Sequence, residues 1–227
     1  MALINMNSNY TKSPCYPELV LAILTGVGHV CLEVVVDGMK GAAETLSRPQ
    51  HFYNIGAAVV WGCYLLWRLV RTRGVAGAWG FRKDDFACSM RAGAVFAVVA
   101  LIPLLIYGKV HDRLPFPLTF WLIIVVYPVY GIAQQFVLQA LITRNLRGLI
   151  KKLPFRVLAA SILFCAAHFP NYWLVALTFI AGLGFTWIYE KHRNIWAVGI
   201  VHGILGAVAY YLVIGQDPGA ELLNLFH

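Results

Sequence analysis

Long apolar segments alternate with short basic ones along almost the whole chain. A helix needs about 20 apolar residues to cross the hydrocarbon core of a bilayer, and seven segments approach or exceed that length. They cover residues 17–39, 52–70, 88–107, 118–143, 155–169, 172–190 and 195–214. The pattern predicts an all-α, polytopic membrane bundle of about seven transmembrane helices. It also predicts three parts, a polar N-terminal segment (1–16), a single transmembrane bundle (17–214) and a C-terminal tail (215–227).

The basic residues are distributed unevenly between the loops. Fourteen of the 18 Lys and Arg lie in the N-terminal segment and in the loops predicted on the same side of the membrane. The positive-inside rule therefore predicts a cytoplasmic N-terminus. Arg144 and Arg147, in one of these loops, fit topology control and contact with lipid; they would also suit the C-terminal carboxylate of a substrate.

Composition narrows the class of partner. The chain is 60% hydrophobic and 12% charged, with a net charge of +8, and its mean hydropathy is +0.70. In such a chain, basic loops indicate contact with anionic headgroups rather than with nucleic acid. We expect the bilayer and membrane proteins or peptides as partners. Short loops and the lack of a targeting signal favour a bacterial inner membrane.

Several polar residues lie inside predicted spans, where they are costly and usually face the bundle interior. At 1.5 Å per residue, polar residues of four spans lie at similar depth, roughly 14 to 18 Å from the cytoplasmic boundary. They are His29 with Glu33 one turn further out, the glutamines 134, 135 and 139, His168, and His202. The common depth predicts a shared polar pocket, and separate interhelical hydrogen bonds are the alternative.

Three stretches in the second half of the chain follow one another in an informative order. Residues 134–139 read QQFVLQ, residues 164–168 read FCAAH and residues 202–206 read HGILG. They resemble the Glu-Glu-x-x-x-Arg, Phe-x-x-x-His and His-x-x-x-Asn motifs of the CPBP family of intramembrane proteases, which includes CAAX proteases and bacteriocin-processing enzymes. Residues 182–203 and, more weakly, the AWGFR stretch at 78–82 add to the resemblance.

The resemblance implies a CPBP-type helical core over about residues 118–214 and endopeptidase chemistry near the cytoplasmic side of the bilayer. In active members a Glu of the double-Glu motif activates a water molecule. The histidines position that water or stabilise the oxyanion, and the Asn contributes to the oxyanion site. The catalytic positions carried over to this chain are Gln134, Gln135, His168 and His202. The possible pocket also includes the motif positions Gln139, Phe164 and Gly206, and His29 and Glu33, which the depth argument adds.

The chain departs from the family pattern at residues on which catalysis depends. Both glutamates are glutamines, Gln134 and Gln135, and an amide cannot act as a general base. The Arg position holds Gln139 and the Asn position holds Gly206. We therefore expect a catalytically degenerate member that binds segments of membrane proteins, as an assembly or stability factor or as a subunit of a membrane complex.

Three alternatives stay open. The chain would be an active intramembrane endopeptidase if Glu33, on the same helix face as His29, served as a relocated base. An engineered glutamine pair is also conceivable, although it would leave the changes at the Arg and Asn positions unexplained. The third is a zinc site made by Glu33, His29, His168 and His202, which suit zinc by ligand type. They lack a local His-x-x-x-His or Glu-x-x-His pair, so we expect no metal and no other cofactor.

Overall fold

A computed structural model describes residues 14–38, 47–217 and 219–220. The described chain is helical, without a strand in these ranges, which confirms the all-α prediction. The helices are α1 (Tyr16–Gly38), α2 (Ser47–Arg71), α3 (Val75–Trp79), α4 (Phe86–Val110), α5 (Leu118–Gln135), α6 (Arg144–Leu149), α7 (Leu153–Ala166), α8 (Tyr172–His192) and α9 (Ile195–Ala209). π-Helical segments follow α5 (Phe136–Thr143) and α9 (Tyr210–Ile214).

A helix occurs at each of the seven predicted spans, but the helices differ in length and polarity. Five described helical stretches are long and apolar enough to cross a membrane: Tyr16–Val36, Phe86–Val110, Leu118–Leu149, Tyr172–His192 and Ile195–Ile214. Helix α7 has only 14 residues, and α2 is not among the five. The number of seven spans is therefore not confirmed, and the cytoplasmic N-terminus stays a prediction.

The chain divides into two compact units. One contains residues 1–79 and 140–182, and the other contains residues 80–139 and 183–227. Most of the predicted N-terminal segment and most of the predicted tail lie outside the described residues. The boundaries predicted for them, and for a single bundle over 17–214, stay predictions.

In the first unit, polar contacts join α1 to α2. The hydroxyl of Tyr53 donates to the carbonyl oxygen of Thr25 over 2.7 Å. The indole N–H of Trp61 donates to the Thr25 hydroxyl over 3.1 Å. Much of the apolar surface of α1 faces outward, for example Val20, Leu24 and Val27. An outward apolar face is what a helix in contact with lipid requires.

In the second unit, the backbones of α5 and α9 approach closely at glycines. A Cβ atom built on Gly203 would lie 2.5 Å from Cα of Pro128, and one on Gly199 would lie 2.6 Å from Cα of Ile132. Only glycine allows two helices so close together. This contact brings the end of α5, with its glutamines, beside the middle of α9, with His202.

Candidate functional site

The glutamine pair lies at a change of helix geometry. Gln134 and Gln135 end α5, and Gln139 lies within the π-helical segment that follows. A π-helix closes i to i+5 hydrogen bonds and accommodates an extra residue, and such segments occur frequently at functional sites.

His202 bonds to both glutamines of the pair. Its Nε2 lies 2.7 Å from Oε1 of Gln134, and its Nδ1 lies 3.1 Å from Nε2 of Gln135. The amide of Gln139 donates to Oε1 of Gln135 over 2.9 Å and to the hydroxyl of Thr186 over 3.2 Å. Gln135 and His202 are 67 residues apart in the sequence, and the two motifs that contain them form one hydrogen-bonded network.

The direction of these bonds is consistent with one tautomer of His202. Gln139 donates to Oε1 of Gln135, so the NH₂ group of Gln135 faces Nδ1 of the imidazole and donates to it. Nδ1 is then an acceptor, and the ring proton lies on Nε2, from which it is donated to Oε1 of Gln134. A neutral imidazole carries one donor and one acceptor nitrogen. The glutamine pair thus fits the neutral, Nε2-protonated tautomer.

Exposure differs across the network. Gln135 and Gln139 are completely buried and His202 is 8% exposed, whereas Gln134 is partly exposed. Within the described ranges, Oε1 of Gln139 is buried without a hydrogen-bond partner. Of the two adjacent glutamines, Gln134 is therefore the one that is accessible to a bound molecule.

Two residues of α8 contact the network, Phe185 at His202 and Thr186 at Gln139, and sequence reasoning missed both. The ring of Phe185 meets the imidazole edge-on, with 5.2 Å between centroids, and Thr186 holds Gln139. Both side chains are completely buried. A small-residue helix of ordinary composition carries them, so the sequence contains no signal that singles them out.

The start of α9 is held by residues from the AWGFR stretch and its neighbours. Asn194 caps α9 by accepting from the backbone N–H of Ala197 over 3.0 Å. Its amide donates to the carbonyl oxygens of Arg82 over 2.7 Å and Asp84 over 3.0 Å. Gly80 has φ of +105°, which a residue with a side chain adopts only with strain. Its carbonyl accepts from the N–H of Ile195 over 3.0 Å.

Phe81 of the same stretch packs against both helical segments that carry the network. Its ring stacks on Phe136, at the start of the π-helical segment, with 5.6 Å between centroids. It meets Trp196, in the first turn of α9, at 5.1 Å. The weak upstream resemblance therefore corresponds to residues that fix the position of α9, and hence of His202, rather than to residues of the site.

His168 and Phe164 belong to the first unit. His168 lies just after α7, and its Nδ1 donates to the carbonyl oxygen of Phe164 over 2.8 Å. The Phe164 ring, which is buried, meets the imidazole edge-on at 5.0 Å. In the neutral form the lone pair of His168 is then on Nε2. The Phe-x-x-x-His motif is a local device that orients the histidine and sets its tautomer.

His29 and Glu33 also lie in the first unit, one helical turn apart on α1. Nε2 of His29 is 3.7 Å from a carboxylate oxygen of Glu33, and Nδ1 is 3.2 Å from the amide oxygen of Asn54 on α2. Side-chain exposure is 34% for His29 and 29% for Glu33. The predicted pairing of these two residues on one face is present in the structure.

The structure thus brings together Gln134, Gln135, Gln139 and His202, whereas His29, Glu33, Phe164 and His168 lie in the other compact unit. One pocket that contains all of them stays a prediction. At Gly206 a Cβ atom would be 3.5 Å from the nearest atom, on the Tyr127 ring, which is an ordinary contact. The position that holds Asn in the family therefore has room for a Cβ atom.

Metal binding finds no support in the described part of the chain. No group of three or more His, Cys, Asp or Glu is placed there to hold a metal ion. The zinc alternative built on His29, Glu33, His168 and His202, and the expectation that the chain binds no metal, both stay predictions.

The chemistry available to the network follows from its neutral members. Amides and a neutral imidazole can hold a water molecule, donate to a carbonyl oxygen and accept from a peptide N–H. An amide side chain cannot take a proton from water, and a general base is worth about 10² to 10⁴ in rate. The network is thus suited to binding polypeptide groups.

Comparison with known proteins agrees with the motifs. A family model described as type II CAAX prenyl endopeptidase Rce1-like matches residues 116–208. This range includes α5, the π-helical segment and nearly all of α9, and it confirms the resemblance found from the sequence. No curated protein matches the chain, and no solved structure matches it.

Proposed function

Because residues 116–208 of this integral membrane protein match a family model described as type II CAAX prenyl endopeptidase Rce1-like, we propose that it binds segments of membrane proteins without cleaving them. The observation that carries the proposal is the amide network on His202. Its donors and acceptors come from the neutral side chains of Gln134, Gln135 and Gln139. A family with polypeptide substrates has a surface that binds them. In this chain the amides replace the carboxylate that would act as the general base.

The two glutamine positions are not equivalent. A carboxylate at position 134 would accept the same bond from Nε2–H of His202, at a place that is partly exposed. A carboxylate at position 135 would be completely buried and would face Nδ1, which accepts in the tautomer present. Gln134 therefore occupies the position from which a base would act on water, and Gln135 occupies the position that orients the histidine.

As a binding element, Gln134 presents its amide at a partly exposed position. Its oxygen is engaged by His202, and its NH₂ group is suited to donate to a peptide carbonyl. We propose that it holds the backbone of a bound client segment. The role that follows is assembly or stabilisation of membrane proteins, alone or as a subunit of a membrane complex, in a bacterial inner membrane with a cytoplasmic N-terminus.

The test compares cleavage and binding in proteoliposomes with a pool of labelled membrane peptides. Wild type should retain peptides and release no new termini. Gln134→Glu, alone or with Gln135→Glu, should raise cleavage by about 10² to 10⁴ over the wild-type background. The matched control is Gln216→Glu, which makes the same change at an exposed residue just after the π-helical segment Tyr210–Ile214. Cleavage by wild type that His202→Ala abolishes would overturn the proposal.

A second candidate, an active endopeptidase, draws on the first unit. Glu33 pairs with His29 there, and His168 keeps its Nε2 lone pair because Nδ1 bonds to Phe164. These are the groups that general base catalysis needs. In this case wild type would cleave, and both Glu33→Gln and His168→Ala would reduce the rate by at least about 10².

A further inference from the structure

Two polar side chains of α5, Tyr130 and Gln134, lie in the middle of a membrane span. They follow the start of the apolar stretch Leu118–Leu149 by 12 and 16 residues. At 1.5 Å per residue, Tyr130 is roughly 18 Å from that start, a distance that its side chain does not bridge. Tyrosine is enriched at the ends of membrane spans, where its hydroxyl reaches water. In the middle of a span, the hydroxyl requires another hydrogen-bond partner.

Tyr130 and Gln134, here called the α5 polar pair, are accessible on the same face of the helix. Tyr130 is 54% exposed, and Gln134 is partly exposed. Residues four apart on a helix are neighbours, with about 5 to 6 Å between their Cβ atoms. The ring of Tyr127, one turn earlier, contacts the Tyr130 ring with 5.5 Å between centroids. The Tyr130 hydroxyl and the Gln134 amide can therefore reach the same atom of a bound molecule.

The α5 polar pair offers hydrogen-bond donors to its surroundings. Oε1 of Gln134 is engaged by His202 over 2.7 Å, which leaves the NH₂ group of Gln134 as a donor. Within the described ranges, neither this NH₂ group nor the Tyr130 hydroxyl bonds to another residue. Lipid tails contain no hydrogen-bond acceptor. A lipid chain against this face would therefore leave both donors unsatisfied, whereas a polypeptide can supply an acceptor.

A polypeptide segment in the hydrocarbon core is helical, because its backbone groups must bond within the segment. A proline inside such a helix has no N–H and leaves the carbonyl oxygen four residues earlier without its donor. Neighbouring helices supply new partners for backbone groups freed in this way. A carbonyl oxygen has two lone pairs, so one freed carbonyl can accept from both members of the α5 polar pair.

The surroundings of the α5 polar pair allow a helix to approach. The neighbouring exposed side chains are short, those of Val126, Val129 and Ala133. Gln134 also belongs to the amide network on His202, so this face of α5 is continuous with the candidate site.

We propose that the α5 polar pair docks a transmembrane helix that contains a proline near its middle. The Tyr130 hydroxyl and the Gln134 NH₂ group donate to the carbonyl oxygen that the proline leaves free. The inference rests on the proposed function, because it assumes that membrane segments are bound, and it adds the feature by which a client is selected. A proline near one end of a helix frees a carbonyl at a different depth and does not meet the pair.

The experiment measures binding of fluorescent peptides to the full chain in phosphatidylcholine nanodiscs. Each peptide has about 20 leucine and alanine residues between flanking lysines. One carries a proline at its centre, one carries a proline near one end, and one has no proline. The peptide with the central proline should bind about tenfold more tightly than the other two, because its free carbonyl gains two hydrogen bonds.

Tyr130→Phe keeps the ring and deletes only an exposed hydroxyl, so it tests the donor without loss of packing. It should lower the preference for the central proline from about tenfold to about threefold, since one of two hydrogen bonds is lost. The matched control is Tyr172→Phe, which deletes the hydroxyl of another exposed tyrosine at the start of α8. It should leave the preference unchanged.

Equal binding of the three peptides, or a preference that Tyr130→Phe does not reduce, overturns this docking surface and leaves the proposed function standing. Tighter binding of a peptide with a central asparagine than of the peptide with the central proline would identify a side-chain oxygen as the acceptor, which also overturns the inference. If no peptide binds, the inference and the proposed function fail together.

Discussion

Asn194 is expected to contribute more to stability than any ordinary helix cap, because it bonds on both sides of the turn before α9. Its oxygen accepts from Ala197 N–H, and its amide donates to two backbone carbonyls of the preceding loop. The side chain is completely buried. Asn194→Ala therefore removes a cap and leaves two carbonyl oxygens without their donor.

The magnitude follows from these three bonds. Loss of a cap costs about 1 kcal/mol, and each of the other two bonds is worth about 1 kcal/mol. We expect Asn194→Ala to lower the free energy of unfolding by about 3 kcal/mol. Asn194→Ser, which keeps a capping oxygen but does not reach both carbonyls, should cost about 2 kcal/mol.

The matched control is Asn171→Ala. Asn171 caps α8 by accepting from Leu174 N–H over 3.1 Å, at an exposed position, and its loss should cost about 1 kcal/mol. The assay is reversible unfolding in mixed detergent micelles, followed by circular dichroism. An equal loss for Asn194→Ala and Asn171→Ala would refute the reasoning, since it would show that the bonds to the AWGFR loop contribute nothing.

Three further substitutions test the packing and two buried polar groups in the same unfolding assay. Gly203→Ala places a methyl group against the α5 backbone and should cost about 1 to 3 kcal/mol, whereas Gly206→Ala, three residues on and with an ordinary 3.5 Å contact, should be nearly neutral. Tyr64→Phe removes a donor from buried Glu18 and should cost about 1.5 to 3 kcal/mol; no change would mean that the carboxylate needs no such donor. Gln135→Glu buries a carboxylate and should destabilise by several kcal/mol; unaltered stability would contradict the complete burial of this position.

The helical architecture could be predicted because length and hydropathy are local properties of the sequence. Each predicted span coincides with a helix to within a few residues at most of its ends. The motif order assigned Gln134, Gln135 and His202 to one site, since a family resemblance carries three-dimensional information that periodicity lacks. The bonds from His202 to the two glutamines are seen only in the structure. The number of membrane-crossing helices could not be fixed, because α2 and α7 are marginal in polarity and in length.

The features that were missed depend on contacts between distant parts of the chain. The π-helical segment after Gln135 has no sequence signature. The sequence analysis did not single out Glu18, and it placed Arg144 in a loop. Only the fold shows that 126 residues separate the two in sequence while 2.5 Å separates their atoms. Thr186 is one of several small polar residues in spans, and its bond to Gln139 distinguishes it.

The measurement that tests the central claim most directly follows binding and turnover of one membrane peptide in the same proteoliposome sample of wild-type chain. Retention is read from co-flotation of the labelled peptide, and cleavage is read by mass spectrometry of new termini over many hours. We expect saturable retention with no product beyond that in empty liposomes, and product only after Gln134→Glu. Product that accumulates with wild type in proportion to bound peptide would contradict the account and make the protein a peptidase with its base elsewhere.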